Sequence, residues 1–114
     1  MRFVAACGFD CARMLTLPGT SLSVSPLCLG GVPFGNTLTE SETFALLDHF
    51  VALGGNFIDT ARIYSDWVPG EKHRSERILG DWVAARGLRA QLVIATKGGI
   101  HLGHLLHVAA VTGV

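Results

Sequence analysis

Asp59 and Tyr64 stand five positions apart in the stretch GGNFIDTARIYSDW, and Lys97 follows the apolar run LVIAT. Tyr64 is the only tyrosine of the chain. A free phenol, with a pKa of about 10, is a poor acid at neutral pH. An ammonium beside it stabilises the phenolate and eases loss of the proton. A carboxylate beside the ammonium keeps the lysine charged and in place. Together the three types make a general acid, able to protonate an oxygen that gains negative charge in a transition state. Reduction of a carbonyl by hydride needs such an acid. An Asp–Lys pair also serves as a structural bridge, and a tyrosine also serves as core with its hydroxyl at the rim. Spacing alone leaves both readings open.

These residues need elements that bring them together. Leu27 to Leu29 reads as a short buried strand, ended by Gly30-Gly31. NFIDT reads as a second strand, and QLVIAT as a third, continuous and β-branched as buried parallel strands are. Between the first two, Thr39 to Leu53 has the marks of a helix. Thr39 and Glu42 form a T-x-x-E capping box, Phe44, Leu47 and Val51 recur at helical spacing, and Gly54 supplies the stop. The spacing predicts a second helix over Glu71 to Arg86, with Ile78, Leu79, Trp82 and Val83 on one side and Gly87 at its end. Ahead of all this, two short alternating runs flank Pro18-Gly19-Thr20-Ser21, the pattern of a β-hairpin.

The order is therefore hairpin, then strand–helix–strand–helix–strand. Such alternation implies an α/β fold with a parallel sheet covered by helices. In parallel α/β folds the carboxyl ends of the strands form the ligand face. Asp59, Tyr64 and Lys97 all follow strands, so they converge on one side of the sheet.

Composition bounds the rest. The chain has 114 residues, 49% of them apolar, enough for one core and one domain. Nine basic residues balance nine acidic ones, so no charge field argues for nucleic acid or an anionic membrane. Mean hydropathy is high at +0.42. Even so, the stretch Gly98 to Val114 carries His101, His104 and His107 and is shorter than the roughly 20 residues a spanning helix needs. The opening MRFVAACGFDCARM is interrupted by Asp10, so no signal peptide is expected. Residues 1–12 have no clear period and read as a disordered leader. The odd set Cys7, Cys11 and Cys28 has no disulfide or zinc spacing and suits a reduced, cytoplasmic protein. The three tail histidines would share a helical face, but Gly103 weakens that helix and no carboxylate or cysteine joins them, so no metal site is expected.

The words GGNFIDTARIYS, GEKHRSERILGDW and LVIATKGG, in that order, resemble the aldo-keto reductase family, and LPGTSLSVSPLCLGGVPFGN is similar to that family's opening hairpin and first barrel strand. The resemblance runs from about Arg13 to Gly99. It implies a TIM (β/α)8 barrel, of which residues 13–99 would form the hairpin and about three strand–helix units, with 100–114 a divergent tail. A full barrel takes about 250 residues. It implies NADPH, bound extended without a Rossmann fold, and the absence of G-x-G-x-x-G agrees. By resemblance Tyr64 is the proton donor, Lys97 makes it the stronger acid, and Asp59 pairs with Lys97. Gly31, Val32 and Pro33 would line the nicotinamide and substrate region together with Asp59 and Lys97, and Tyr64 and Trp67 would flank a small carbonyl substrate. Glu76, in S-E-x-x-L-G, is expected to support the second helix. The family's histidine at the end of the fourth strand has no counterpart in context among His101, His104 and His107. The expectation is thus an oxidoreductase chain that reduces aldehydes or ketones and holds only part of the barrel. Its alternative is a non-catalytic fragment or interaction module that associates through an open sheet edge.

Overall fold

The computed structural model describes residues 13–98 and, as a strand, Val108–Gly113. A two-stranded hairpin comes first, β1 (Leu15–Thr16) against β2 (Ser23–Val24), antiparallel. Its loop is closed by Leu17 and Leu22 and tightened by the Thr20 hydroxyl on the Leu17 carbonyl. Then come β3 (Cys28–Gly30), α1 (Glu40–Ala52), β4 (Phe57–Asp59), α2 (Arg74–Arg86), a short 3₁₀ turn (Arg89–Gln91), β5 (Val93–Gly98) and β6 (Val108–Gly113). The main sheet has the order β3-β4-β5-β6. β3, β4 and β5 run parallel, in the register Leu29–Ile58–Ile94, as crossover helices require.

Each helix follows from its sequence. Thr39 accepts from the Glu42 amide, and the Glu42 carboxylate accepts from the Thr39 amide, so both halves of the capping box form. Gly54 follows the last turn with φ 93, a left-handed value that favours glycine. Gly87 closes α2 the same way, at φ 65. The helices lay Leu47, Phe50, Leu79, Trp82 and Val83 against Phe34, Ile58 and Leu92, one apolar cluster on one side of the sheet. Trp82 is fully buried, and its indole N–H donates to Asp48 at 2.8 Å. The same carboxylate receives two hydrogen bonds from Arg86, each 2.9 Å, so one acid on α1 clamps α2 through two partners.

Three expectations need correction. The first barrel strand runs one residue later than Leu27 to Leu29. The second helix begins at Arg74, not Glu71, because the backbone turns left-handed at Gly70 (φ 115) and again at His73 (φ 58). An Asp66 oxygen takes the His73 amide, holding that segment outside the helix. Among the described residues the sheet has four strands, not three: β6 pairs antiparallel along all of β5, from Val93 opposite Gly113 to Gly98 opposite Val108. The expected leader, and His101, His104 and His107, lie outside the described residues. No helix among the described residues is long and apolar enough to cross a membrane.

Candidate active site

Parallel pairing places the carboxyl ends of β3, β4 and β5 side by side. Gly30 pairs with Asp59, and Asp59 with Ala95. Side chains along a strand alternate between faces, so Lys97, two residues beyond Ala95, returns to the Asp59 face. The Lys97 ammonium donates to Asp59 Oδ1 at 2.9 Å, to Oδ2 at 2.8 Å and to the Thr60 carbonyl at 3.0 Å. The ammonium is thereby aimed at the end of β4. Burial works against this charge, but the hydrogen bonds and charges of Asp59 and Tyr64 outweigh it and hold the lysine above its ordinary value.

Tyr64 lies in the turn that follows β4. That turn is pinned to β5 by the Arg62 amide on the Lys97 carbonyl, 3.0 Å, and closed by the Tyr64 amide on the Ala61 carbonyl, 3.1 Å. Lys97 Nζ stands 4.9 Å from the centre of the Tyr64 ring, within range of a cation–π contact. The structure thus brings together Asp59, Lys97 and Tyr64, which the sequence separates by up to 38 positions.

The residues at the end of β3 divide in two. Gly31 is buried; its amide donates to the Asp59 carbonyl at 2.7 Å and its carbonyl accepts from the Ser75 hydroxyl at 2.7 Å. A side chain there would meet the Asp59 carbonyl and Ser75 Oγ at 3.0 Å. Gly31 therefore joins strand ends. Val32 is exposed, Pro33 half-buried, and Trp67 stands out from the Tyr64 loop with 58% of its surface open. Gly30, opposite Asp59, has open space where a Cβ would be.

Several residues beneath the site carried no signal in sequence reading. Ser75, in the first turn of α2, is fully buried. Its single proton goes to the Gly31 carbonyl, so the Thr60 hydroxyl, 2.8 Å away, must donate to Ser75. A directed chain of hydroxyls thereby links β4, α2 and β3 under the Asp59–Lys97 pair. Glu76 accepts from the Thr96 hydroxyl at 2.5 Å, joining α2 to the residue before Lys97. Arg74 donates to four carbonyls, those of Gly35, Val68, Pro69 and Glu71, and ties the Tyr64 loop to the loop after β3. The S-E pair of S-E-x-x-L-G was the one visible hint of this layer.

Cys28 is a free, exposed thiol two residues before Gly30 on the same strand face. Burial and the Asp59 charge push its pKa up, Lys97 opposing them, so the thiol is poorly suited to act as a nucleophile. Among the described residues no group of three or more His, Cys, Asp or Glu could hold a metal ion.

Comparison with known proteins joins this geometry to a family. The model of the aldo/keto reductase family matches residues 26–110. The chain is 49% identical over 87 residues to norsolorinic acid reductase of Emericella nidulans, a match covering 70% of this chain and 21% of that protein. It is 43% identical over 88 residues to aryl-alcohol dehydrogenase [NADP(+)] of Phanerodontia chrysosporium, covering 70% and 21%. The chain spans about a fifth of the length of these two relatives. Among solved structures, a Pseudomonas aeruginosa protein assigned to the aldo-keto reductases superposes with a TM-score of 0.64 at 39% identity, over 84% of this chain and 34% of that one.

Proposed function

This chain belongs to the aldo/keto reductase family of oxidoreductases, with the fold of the first part of its (β/α)8 barrel, and we propose that it serves NADPH-dependent reduction of small aldehydes or ketones. The observation that carries the reading is the Lys97 ammonium, held by the Asp59 carboxylate on one side and set 4.9 Å from the Tyr64 ring on the other. The nicotinamide cofactor fits this face. Gly30 leaves open space beside Asp59, and Val32 and Trp67 are exposed nearby. Gly31, Val32, Pro33, Asp59 and Lys97 are the residues we assign to the cofactor side, Tyr64 and Trp67 to the substrate side.

When bound, NADPH supplies the hydride that reduces the carbonyl carbon. Tyr64 gives its proton to the carbonyl oxygen as negative charge builds there. Lys97 stabilises the phenolate left behind, and Asp59 keeps Lys97 charged and aimed. The exposed indole of Trp67 offers an apolar wall for the substrate. A cytoplasmic setting goes with this reading.

The test is a thermal melt of the chain with and without NADPH, together with turnover of a reactive aldehyde. NADPH should raise the midpoint, since binding to the native state alone does so. Tyr64→Phe should keep that rise and lose turnover by about 10²-fold or more, the scale of general-acid catalysis. A midpoint indifferent to NADPH, with no turnover by the parent chain, would exclude the reading for this polypeptide. A second reading, a non-catalytic chain that associates through its sheet, draws support from Leu27, 59% exposed just before the edge strand β3. It requires concentration-dependent self-association that Leu27→Lys weakens.

A further inference from the structure

We propose that Ser65, held by Asn36, is a positioning residue that fixes the Tyr64 ring against the Lys97 ammonium; this rests on the proton-donor reading of Tyr64. Ser65 is fully buried and adopts φ 74, a left-handed conformation in which only a few per cent of non-glycine residues are found. Glycine would take that conformation without strain, but glycine has no hydroxyl. The Ser65 hydroxyl both donates and accepts. It donates to the Phe34 carbonyl at 2.6 Å and accepts from Asn36 Nδ2 at 2.9 Å. Phe34 is itself fully buried in the core, and Asn36 also donates to the Val32 carbonyl.

The residue after Tyr64 is therefore bolted to the loop after β3, 31 positions away in sequence. On its other side the same turn is bolted to β5 through Arg62 and Lys97. Tyr64 lies between these two anchors and makes neither itself. The left-handed turn at Ser65 sets where the chain leaves Tyr64, and hence how the ring meets Lys97. The position combines a disfavoured backbone conformation with two hydrogen bonds that hold it there. That combination is accounted for if the geometry of the neighbouring side chain is what it secures.

The experiment uses the full chain, which has one tyrosine and two lysines, Lys72 and Lys97. In lysine-labelled protein the ε-methylene signal of Lys97 should be displaced upfield by the Tyr64 ring, relative to that of Lys72. In Ser65→Gly, which removes the hydroxyl without backbone strain, and in Asn36→Ala, the displacement should be lost and the Lys97 signal should move to the Lys72 position. Melting confirms that each variant is folded. Tyr64→Leu serves as the reference for complete loss. If Tyr64→Leu removes the displacement while Ser65→Gly and Asn36→Ala keep it, Ser65 does not position the ring and the proposal fails alone. If Tyr64→Leu leaves the Lys97 signal in place, ring and ammonium are not paired, and the proton-donor reading falls with it.

Discussion

Lys97 spans the Asp59 carboxylate almost evenly, at 2.9 and 2.8 Å, across two neighbouring parallel strands. Its raised pKa means that the pair's stabilisation is complete below the ordinary lysine value of 10.5 and is lost as pH rises through the folded-state value. In Asp59→Asn the burial penalty on the ammonium remains while the main opposing partner is gone. Lys97 should then release its proton at lower pH than in the parent chain. Titration of its ε-methylene signal measures this, and an unchanged midpoint would mean that Asp59 does not hold the charge.

Asp48 behaves in the opposite sense. Hydrogen bonds from Arg86 first, and from Trp82 second, bring its pKa down to about 2. A carboxylate lowered in this way stabilises the fold above its ordinary value of 3.8, and the contribution disappears as pH falls toward about 2. The melting temperatures of the parent and of Asp48→Asn should differ at about pH 6 and converge as pH falls through about 2. A constant difference across that range would show that the carboxylate charge is not what joins α1 to α2.

Removing the Ser75 hydroxyl leaves the Gly31 carbonyl without its donor and the Thr60 hydroxyl without its acceptor. Ser75→Ala should cost about 1–3 kcal/mol in urea unfolding, the usual penalty for a buried polar group left unpaired. Thr60→Val added to Ser75→Ala should cost less than the sum of the two alone, because the second change removes a group already orphaned. Strict additivity would break the hydroxyl chain as a unit.

Gly55 is a matter of space. A Cβ there would fall 2.4 Å from two carbons of the Phe50 ring, nearer than side chains approach. Gly55→Ala should destabilise by about 1–3 kcal/mol, as overpacking does. Phe50→Leu should restore part of that loss, and no restoration would locate the strain elsewhere.

Much of the scaffold was legible because its signals are local. The Thr39–Glu42 capping box, the Gly87 stop and the β-branched run before Lys97 are each written within a few residues. The start of α2 was not, because Glu71, Lys72 and His73 are compatible with a helix, and the left-handed turns at Gly70 and His73 and the capture of the His73 amide by Asp66 keep them out of it. β6 was illegible for another reason. Its partner is β5, and pairing of that kind depends on the partner more than on intrinsic preference. Within the site, Asp59, Tyr64 and Lys97 were visible as residue types of telling chemistry. Ser65, Asn36, Thr60 and Ser75 were not, since each acts on a carbonyl or hydroxyl that other parts of the chain supply.

The register of β4 and β5 makes the site unequally tolerant of different kinds of mutation. Asp59 faces Lys97 because Lys97 stands two positions, an even offset, beyond Ala95, the partner of Asp59. A substitution at Thr96 would lose its hydrogen bond to Glu76 but leave that parity intact. Deleting or inserting a single residue there would turn Lys97 to the helix-covered side of the sheet, whatever the residue's identity. At Thr96, between Ala95 and Lys97, a change of composition thus spares the register of the pair, whereas a change of length destroys it.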